Sequence, residues 1–362
     1  MSHRPPRTLD SDLDDLAMRL RSRHRVRLPA GVGWDRGTDE DYLAELADYW
    51  AHEFDWQVVE APILAQPWES VGEGNTALRV IHQRAMDAAA PVVVLLHGWP
   101  DSVLRFARLL PLLTDLTVVV PALPGFPFAH PLIEKGMSVV RMAELIASAM
   151  GELGYSRYTV SAGDVGADVA EHLAVAYPER VSSLHLTNVS PLHAVFADPS
   201  DGTPEEQAYL ATVAKWQRAE GGYIAEQSSK PHTLAAGLGD SPIGLAAWIV
   251  EKLRSWSDCG GDVEAAFSKQ DLLTWICAYW TTGTIGTSFS PYVEFAMPAS
   301  GVGTPTFISA FAHDTKPAPR AFIERYVNLQ GFAEHPHGGH FASWEQPAEY
   351  AEDLRAAITL GN

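Results

Sequence analysis

The sequence predicts an α/β fold: a mostly parallel central sheet carries a helical insertion and follows a strandless, meandering helical segment. Short β-branched runs alternate with helix-like runs from about residue 57 to residue 190, and the alternation resumes at Pro305. Between them, residues 191–300 read as helical and are dense in aromatic side chains. At the centre, a short apolar strand beginning at Tyr158 runs directly into a helix with Val165, Val169, Leu173 and Ala176 on one face.

Those observations divide the chain into a wrapping segment (1–56), the first part of a core (57–190), a helical lid (191–300) and the second part of the core (301–362). Lysine and arginine number 26 against 45 acids, a net charge of −19 that opposes nucleic acid and anionic membranes as partners. Cys259 and Cys277 are too few for a disulfide framework and fit a reducing cytoplasm. No apolar run reaches the ~18 residues that span a bilayer, and the N-terminus lacks a signal-peptide pattern. A soluble, cytoplasmic protein is expected, and whether it forms a homodimer is left open.

In chain order, Asp10 or Ser11 is expected to cap a helix carrying Leu13, Leu16 and Leu20. Thr38 is expected to cap a second, with Tyr42, Leu43, Leu46, Tyr49 and Trp50 on its apolar face. Neither can fold alone, so the segment wraps the next domain, pinned by Trp34, Trp50 and Trp56. Strands are expected at 56–64, 77–82, 91–96, 116–120, 158–160, 181–186 and 305–311, with a weaker one near 328–334. Helices are expected at 103–113, 139–153, from 319, and at 348–360. An insertion between strands sits over their carboxyl ends, where ligands bind in such sheets.

Chemistry concentrates at strand ends. In Ala162-Gly163-Asp164-Val165-Gly166, small residues on both sides permit a sharp strand-to-helix turn. This is the nucleophile elbow of α/β-hydrolases, usually G-x-S-x-G, with aspartate at its centre. An ionised carboxylate there can attack a saturated carbon and form an alkyl ester. The alternative is that Asp164 caps the following helix. His97-Gly98-Trp99-Pro100 ends a strand, so the N–H of Trp99 with that of Val165 would make an oxyanion hole; the alternative is a plain turn. His340 follows Gly338-Gly339 and stands in the hydrolase order of nucleophile, acid, histidine. A rival takes His335, His337 and His340 as metal ligands, although no cysteine or acidic cluster accompanies them. Asp314, after the strand 305–311, can hold an imidazole tautomer, or can simply form the turn before Thr315-Lys316-Pro317.

Together these motifs resemble the microsomal-type epoxide hydrolases. The resemblance is carried by His97-Gly98-Trp99-Pro100, residues 121–128 (PALPGFPF), the Asp164 elbow and Gly338-Gly339-His340-Phe341. It extends through residues 240–247 (DSPIGLAA), 251–258 (EKLRSWSD) and 279–285 (YWTTGTI), and into Gly33-Trp34 and Phe54-Asp55-Trp56 near the N-terminus. It implies an α/β-hydrolase fold and a small-molecule epoxide opened to a vicinal diol without metal or organic cofactor. It makes Asp164 the nucleophile, His340 the water-activating base and Asp314 its partner. Tyr292 and Tyr223, in the lid, become acids that hold the epoxide oxygen; without the flanking motifs each would read as a packing residue. Family members usually carry tryptophan where Val165 stands and glycine where Asp101 stands, and vertebrate members carry a membrane anchor that is missing here. A haloalkane dehalogenase would want a tryptophan beside the nucleophile, which Val165 does not supply. A non-catalytic ligand receptor on the same fold would not need all five groups. The aromatic lid implies an apolar substrate, from detoxification or secondary metabolism.

Overall fold

The computed structural model describes residues 3–29, 31–200 and 202–361. Eight strands form one sheet in the order β1-β2-β4-β3-β5-β6-β7-β8. They are β1 (Trp68–Val71), β2 (Leu78–Gln83), β3 (Val92–Leu96), β4 (Thr117–Pro121), β5 (Tyr158–Ala162), β6 (Val181–Leu186), β7 (Val302–His313) and β8 (Val327–Gly339). β1 pairs with β2 and β2 with β4 antiparallel; every other neighbour is parallel. The central strands β3, β4 and β5 are buried almost throughout. This is why β3 and β4 read as nearly unbroken apolar runs, while β5 buries Thr159 and Ser161 among its apolar residues: helices cover both faces of a parallel sheet.

The N-terminal helices are α1 (Asp10–Arg21), α2 (Glu40–His52) and α3 (Trp56–Leu64). The last corrects the strand expected at 56–64. The Asp55 carboxylate accepts from the N–H groups of Gln57 and Val58, and the buried residues Trp56, Glu60 and Ile63 recur at helical spacing. The first edge strand is instead β1, four residues too short to register as a periodic run. Neither expected cap holds. α1 starts with Asp10 and Ser11 inside its first turn and no side-chain cap, whereas Asp39 caps α2 and the Thr38 hydroxyl donates to the Ala247 carbonyl at 2.6 Å. Trp50 and Trp56 are buried, and Trp34 lies under the Arg254 guanidinium at 4.5 Å.

In the core, α4 (Val139–Glu152) and α5 (Val165–Ala176) flank the sheet. The helix expected at 103–113 is two short 3-10 turns, Val103–Phe106 and Leu110–Leu112, because Pro111 cannot continue a helix. The insertion comprises α6 (Pro191–Phe196), α7 (Pro204–Glu220), α8 (Gly222–Ser229), α9 (Pro231–Asp240), α10 (Pro242–Trp256), α11 (Lys269–Thr282) and α12 (Ser290–Val293). α1 and α2 pack against α10, and α2 and α3 against α11, so the N-terminal segment braces the insertion. Beyond β7, the helix expected from residue 319 is one turn, α13 (Arg320–Ile323). β8 runs on to Gly339, so His335 and His337 are strand residues. α14 (Ala342–Glu345) and α15 (Pro347–Leu360) close the chain.

Among the described residues no single helix is long and apolar enough to cross a membrane. The pair α9–α10 passes by composition only when joined across a 115° bend, and Leu245, Ile249, Val250 and Leu253 of α10 are buried inside the protein.

Candidate active site

Asp164 sits at φ 54°, ψ −136°, a region that non-glycine residues rarely occupy. The turn exists because its neighbours lack side chains. A Cβ on Gly166 would stand 2.6 Å from the Leu96 carbonyl, and one on Gly163 would stand 2.5 Å from the Thr187 hydroxyl. Asp164 makes no side-chain cap to α5, so the helix-capping alternative fails. Its Oδ1 instead accepts from the N–H of Trp99 at 2.8 Å, an approach that only glycine at position 98 allows, since a Cβ there would lie 2.3 Å from the same oxygen. Val165 is the first residue of α5, so its N–H has no intrahelical acceptor and is free to serve the same oxygen.

β8 ends at Gly339 and delivers His340, whose backbone N–H donates to the Trp256 carbonyl at 2.8 Å. His340 Nδ1 is 2.8 Å from Asp314 Oδ1, and Nε2 is 3.2 Å from Asp164 Oδ2, too poorly aligned for a full hydrogen bond. Burial alone would lower the imidazole pKa, but the Asp314 charge and the contacts with both carboxylates raise it to about 9. Burial would likewise raise Asp314, and the His340 charge and hydrogen bond hold it below the ordinary value. Asp314 also accepts from the N–H of Thr315 at 2.6 Å, so it forms a turn and binds the histidine at once.

Tyr223 on α8 and Tyr292 on α12 face this arrangement from the insertion. Their ring centroids are 6.1 Å apart, with Tyr223 stacked on the Trp99 ring at 5.3 Å and Tyr292 edge-on to it at 6.1 Å. Burial, reinforced by the nearby Asp164 charge, pushes both phenols well above their usual range, so both keep their protons. Tyr279 plays no such part: its hydroxyl is committed to the Asp101 carbonyl at 2.9 Å.

Asp164, Asp314, His340, Tyr223 and Tyr292 line one cavity of about 180 Å³. Its remaining wall is largely apolar, with Val165, Leu192, Trp216, Ile224 and Phe295 contributing. The three histidines of the metal-site rival diverge. His335 bonds Asp353 at 2.6 Å and stacks on Phe311, and the His337 side chain is exposed, leaving His340 alone at the cavity.

Three features of the site were not read from the sequence. Asp168 lines the cavity one helical turn beyond Asp164, a spacing that was legible in principle. Lys316 lies over the Trp216 ring at 3.4 Å; burial lowers its ammonium to about 8 against the pull of Asp314 and Asp164. The third is what Asp101 does. Its Oδ1 accepts from the N–H of Gly98 at 2.7 Å and its Oδ2 from Arg105 at 2.5 Å, while the second Arg105 nitrogen donates to the His340 carbonyl at 2.6 Å. One buried ion pair thus ties the Trp99 turn to the His340 loop.

A mostly parallel sheet with an aspartate elbow between β5 and α5 and a helical insertion after β6 defines an α/β-hydrolase, and the alpha/beta hydrolase fold family matches residues 91–236. The family described as Epoxide hydrolase N terminus matches residues 5–106. A Stigmatella aurantiaca protein whose name places it among epoxide hydrolases is 34% identical over 360 residues, spanning 95% of this chain and 82% of that one. Epoxide hydrolase 1 of Oryctolagus cuniculus is 29% identical, spanning 98% of this chain and 87% of its own. Among solved structures, Aspergillus niger epoxide hydrolase superposes with a TM-score of 0.86 at 27% identity, covering 99% of this chain and 96% of that one. The juvenile hormone epoxide hydrolase of Bombyx mori gives 0.87 at 26%, covering 99% and 93%. The chain belongs to the epoxide hydrolase family.

Proposed function

We propose that this protein opens an apolar epoxide to a vicinal diol through an ester on Asp164. The observation that carries the reading is the opposition of two protonated phenols, Tyr223 and Tyr292, to a carboxylate already in contact with a histidine–aspartate pair across one apolar cavity. Because Oδ1 is held by the Trp99 N–H, Oδ2 is the attacking atom. It bonds to an epoxide carbon as the carbon–oxygen bond breaks, and a tyrosine gives its proton to the ring oxygen. The result is an alkyl ester, a neighbouring hydroxyl and a tyrosinate.

Esterification also prepares the second step. At neutral pH His340 holds a proton, partly because of the Asp164 charge. The ester is neutral, so that support disappears and the imidazole becomes a better base. With its proton released, His340 takes one from water, and the hydroxide adds to the ester carbonyl. The oxyanion on Oδ1 is met by the N–H groups of Trp99 and Val165. On collapse the diol oxygen leaves with the proton from His340, the Asp164 carboxylate returns, the proton it sheds restores the tyrosine, and the proton that His340 first gave to solvent returns to it. The net change is epoxide plus water to diol. Asp314 keeps Nε2 directed at the water by holding Nδ1.

A single turnover in ¹⁸O-water tests this. The first diol released should carry no label, and one ¹⁸O should appear in the Asp164 carboxylate. Label in that first diol would mean direct attack by water and would overturn the ester.

A further inference from the structure

Asp168 has no part in the chemistry above, yet it lines the same cavity as Asp164. We propose that Asp168 is a specificity-determining residue that binds a hydroxyl group on the epoxide substrate, at a point about 6 Å from Asp164 along α5, four residues of helical rise. The proposal rests on the epoxide reading of the site and names its substrate class: epoxides bearing a hydroxyl roughly four or five bonds from the ring.

The contrast with Glu171, on the same helix, carries the argument. Glu171 is fully buried and fully engaged, accepting from the Ser190 N–H at 2.7 Å and meeting His193 Nε2 at 2.8 Å. Asp168 is half-buried and, among the described residues, forms no ion pair with any lysine, arginine or histidine. The Ser190 side chain lies within hydrogen-bonding reach of it. An acid early in a helix is favourable where water reaches it. In an apolar cavity that benefit must be set against desolvation of a group with spare hydrogen-bonding capacity.

Burial, with the charges of Glu171 and Asp164 close by, raises the Asp168 carboxyl to about 8, so it can donate as well as accept. A hydroxyl satisfies it in either state: it accepts from the acid and donates to the carboxylate. A substrate carboxylate would be repelled by the Asp164 charge.

The test uses two epoxides of equal length, one with a terminal hydroxyl four or five bonds from the ring and one without. The ratio of their kcat/KM values is measured for the natural enzyme, Asp168→Asn and Asp168→Leu. The ratio of their Kd values is measured on an Asp164→Asn background, with and without Asp168→Leu, by quenching of tryptophan fluorescence. A hydrogen bond of ordinary strength favours the hydroxylated epoxide by roughly 10-fold in both ratios. Asp168→Leu should bring both ratios to about one, and Asp168→Asn, whose amide donates and accepts, should keep most of the preference. Ratios near one in the natural enzyme, or a preference that survives Asp168→Leu, would overturn the proposal. If neither epoxide is turned over, the ester reading of Asp164 falls, and the Kd ratios still decide the role of Asp168.

Discussion

Arg105→Met is the most informative single change outside the cavity. Arg105 and Asp101 are almost wholly excluded from solvent and their charges meet at 2.5 Å. Burial alone would raise the Asp101 carboxyl, yet the Arg105 charge beside it lowers it to about 2. Removing one member of such a pair leaves the other buried and uncompensated, a loss of about 3–5 kcal/mol. Replacing both members with uncharged groups avoids that penalty. Asp101→Gly, which restores the residue usual in the resembling family, combined with Arg105→Met should therefore be more stable than either single variant. Urea unfolding midpoints at constant m-value measure the order.

Stability and positioning then separate. Arg105 holds the His340 carbonyl, and Asp101 holds the N–H of Gly98 beside the Trp99 turn. Both attachments serve the proposed hydrolysis step, through the base and the oxyanion donors, whereas alkylation needs mainly Asp164 and the tyrosines. The double variant should fold well and still accumulate ester in single-turnover quench measurements. A double variant no more stable than the singles would refute the buried-charge argument. One that is stable and shows the natural ratio of the two step rates would refute the positioning argument.

His340→Gln should form the adduct and release little diol, seen as a persistent mass increase on the intact protein; normal steady turnover would remove His340 from the role of base. Tyr223→Phe and Tyr292→Phe should each slow alkylation by roughly 10- to 1000-fold while sparing hydrolysis of ester already formed, and the double change should cost much more. An unchanged alkylation rate in either single variant would make that tyrosine a packing residue. The His340 pKa is raised from 6.5 to about 9 on folding, so its contribution to stability is full below about pH 6.5 and fades as pH rises through about 9. Unfolding midpoints of the natural protein and His340→Gln should therefore converge between those limits, and a constant gap would contradict the shift.

What was legible in the sequence was what is encoded locally. The elbow needs small residues within two positions of Asp164, and the buried strands β3 and β4 need nearly continuous apolar runs, so both could be read off. The helix at 56–64 was mistaken for a strand because its apolar residues are dense enough to hide their spacing; the Asp55 cap, two residues ahead of Gln57, was the overlooked signal. The antiparallel edge strand β1 is set by pairing with β2 rather than by its own composition. Long-range polar contacts left least trace. Asp101 stood out as a departure, but its meaning lies in Arg105 reaching a carbonyl 235 residues away.

Trp99 shows why the core and the insertion form one site rather than two. Its backbone N–H belongs to the core and fixes Asp164 Oδ1 at 2.8 Å. Its ring belongs to the insertion: it stacks on Tyr223, meets Tyr292 edge-on and touches Trp256 and Phe289. Trp256 in turn packs edge-on to the His340 ring and accepts the His340 N–H through its carbonyl. The proposed acids, nucleophile and base are therefore registered through two tryptophans whose indole N–H groups make no hydrogen bond. Their hold is packing, which is stiff against small displacements at interior density. The distance between the phenols and Asp164 thus depends on ring contacts that neither the elbow nor the lid motif could supply alone.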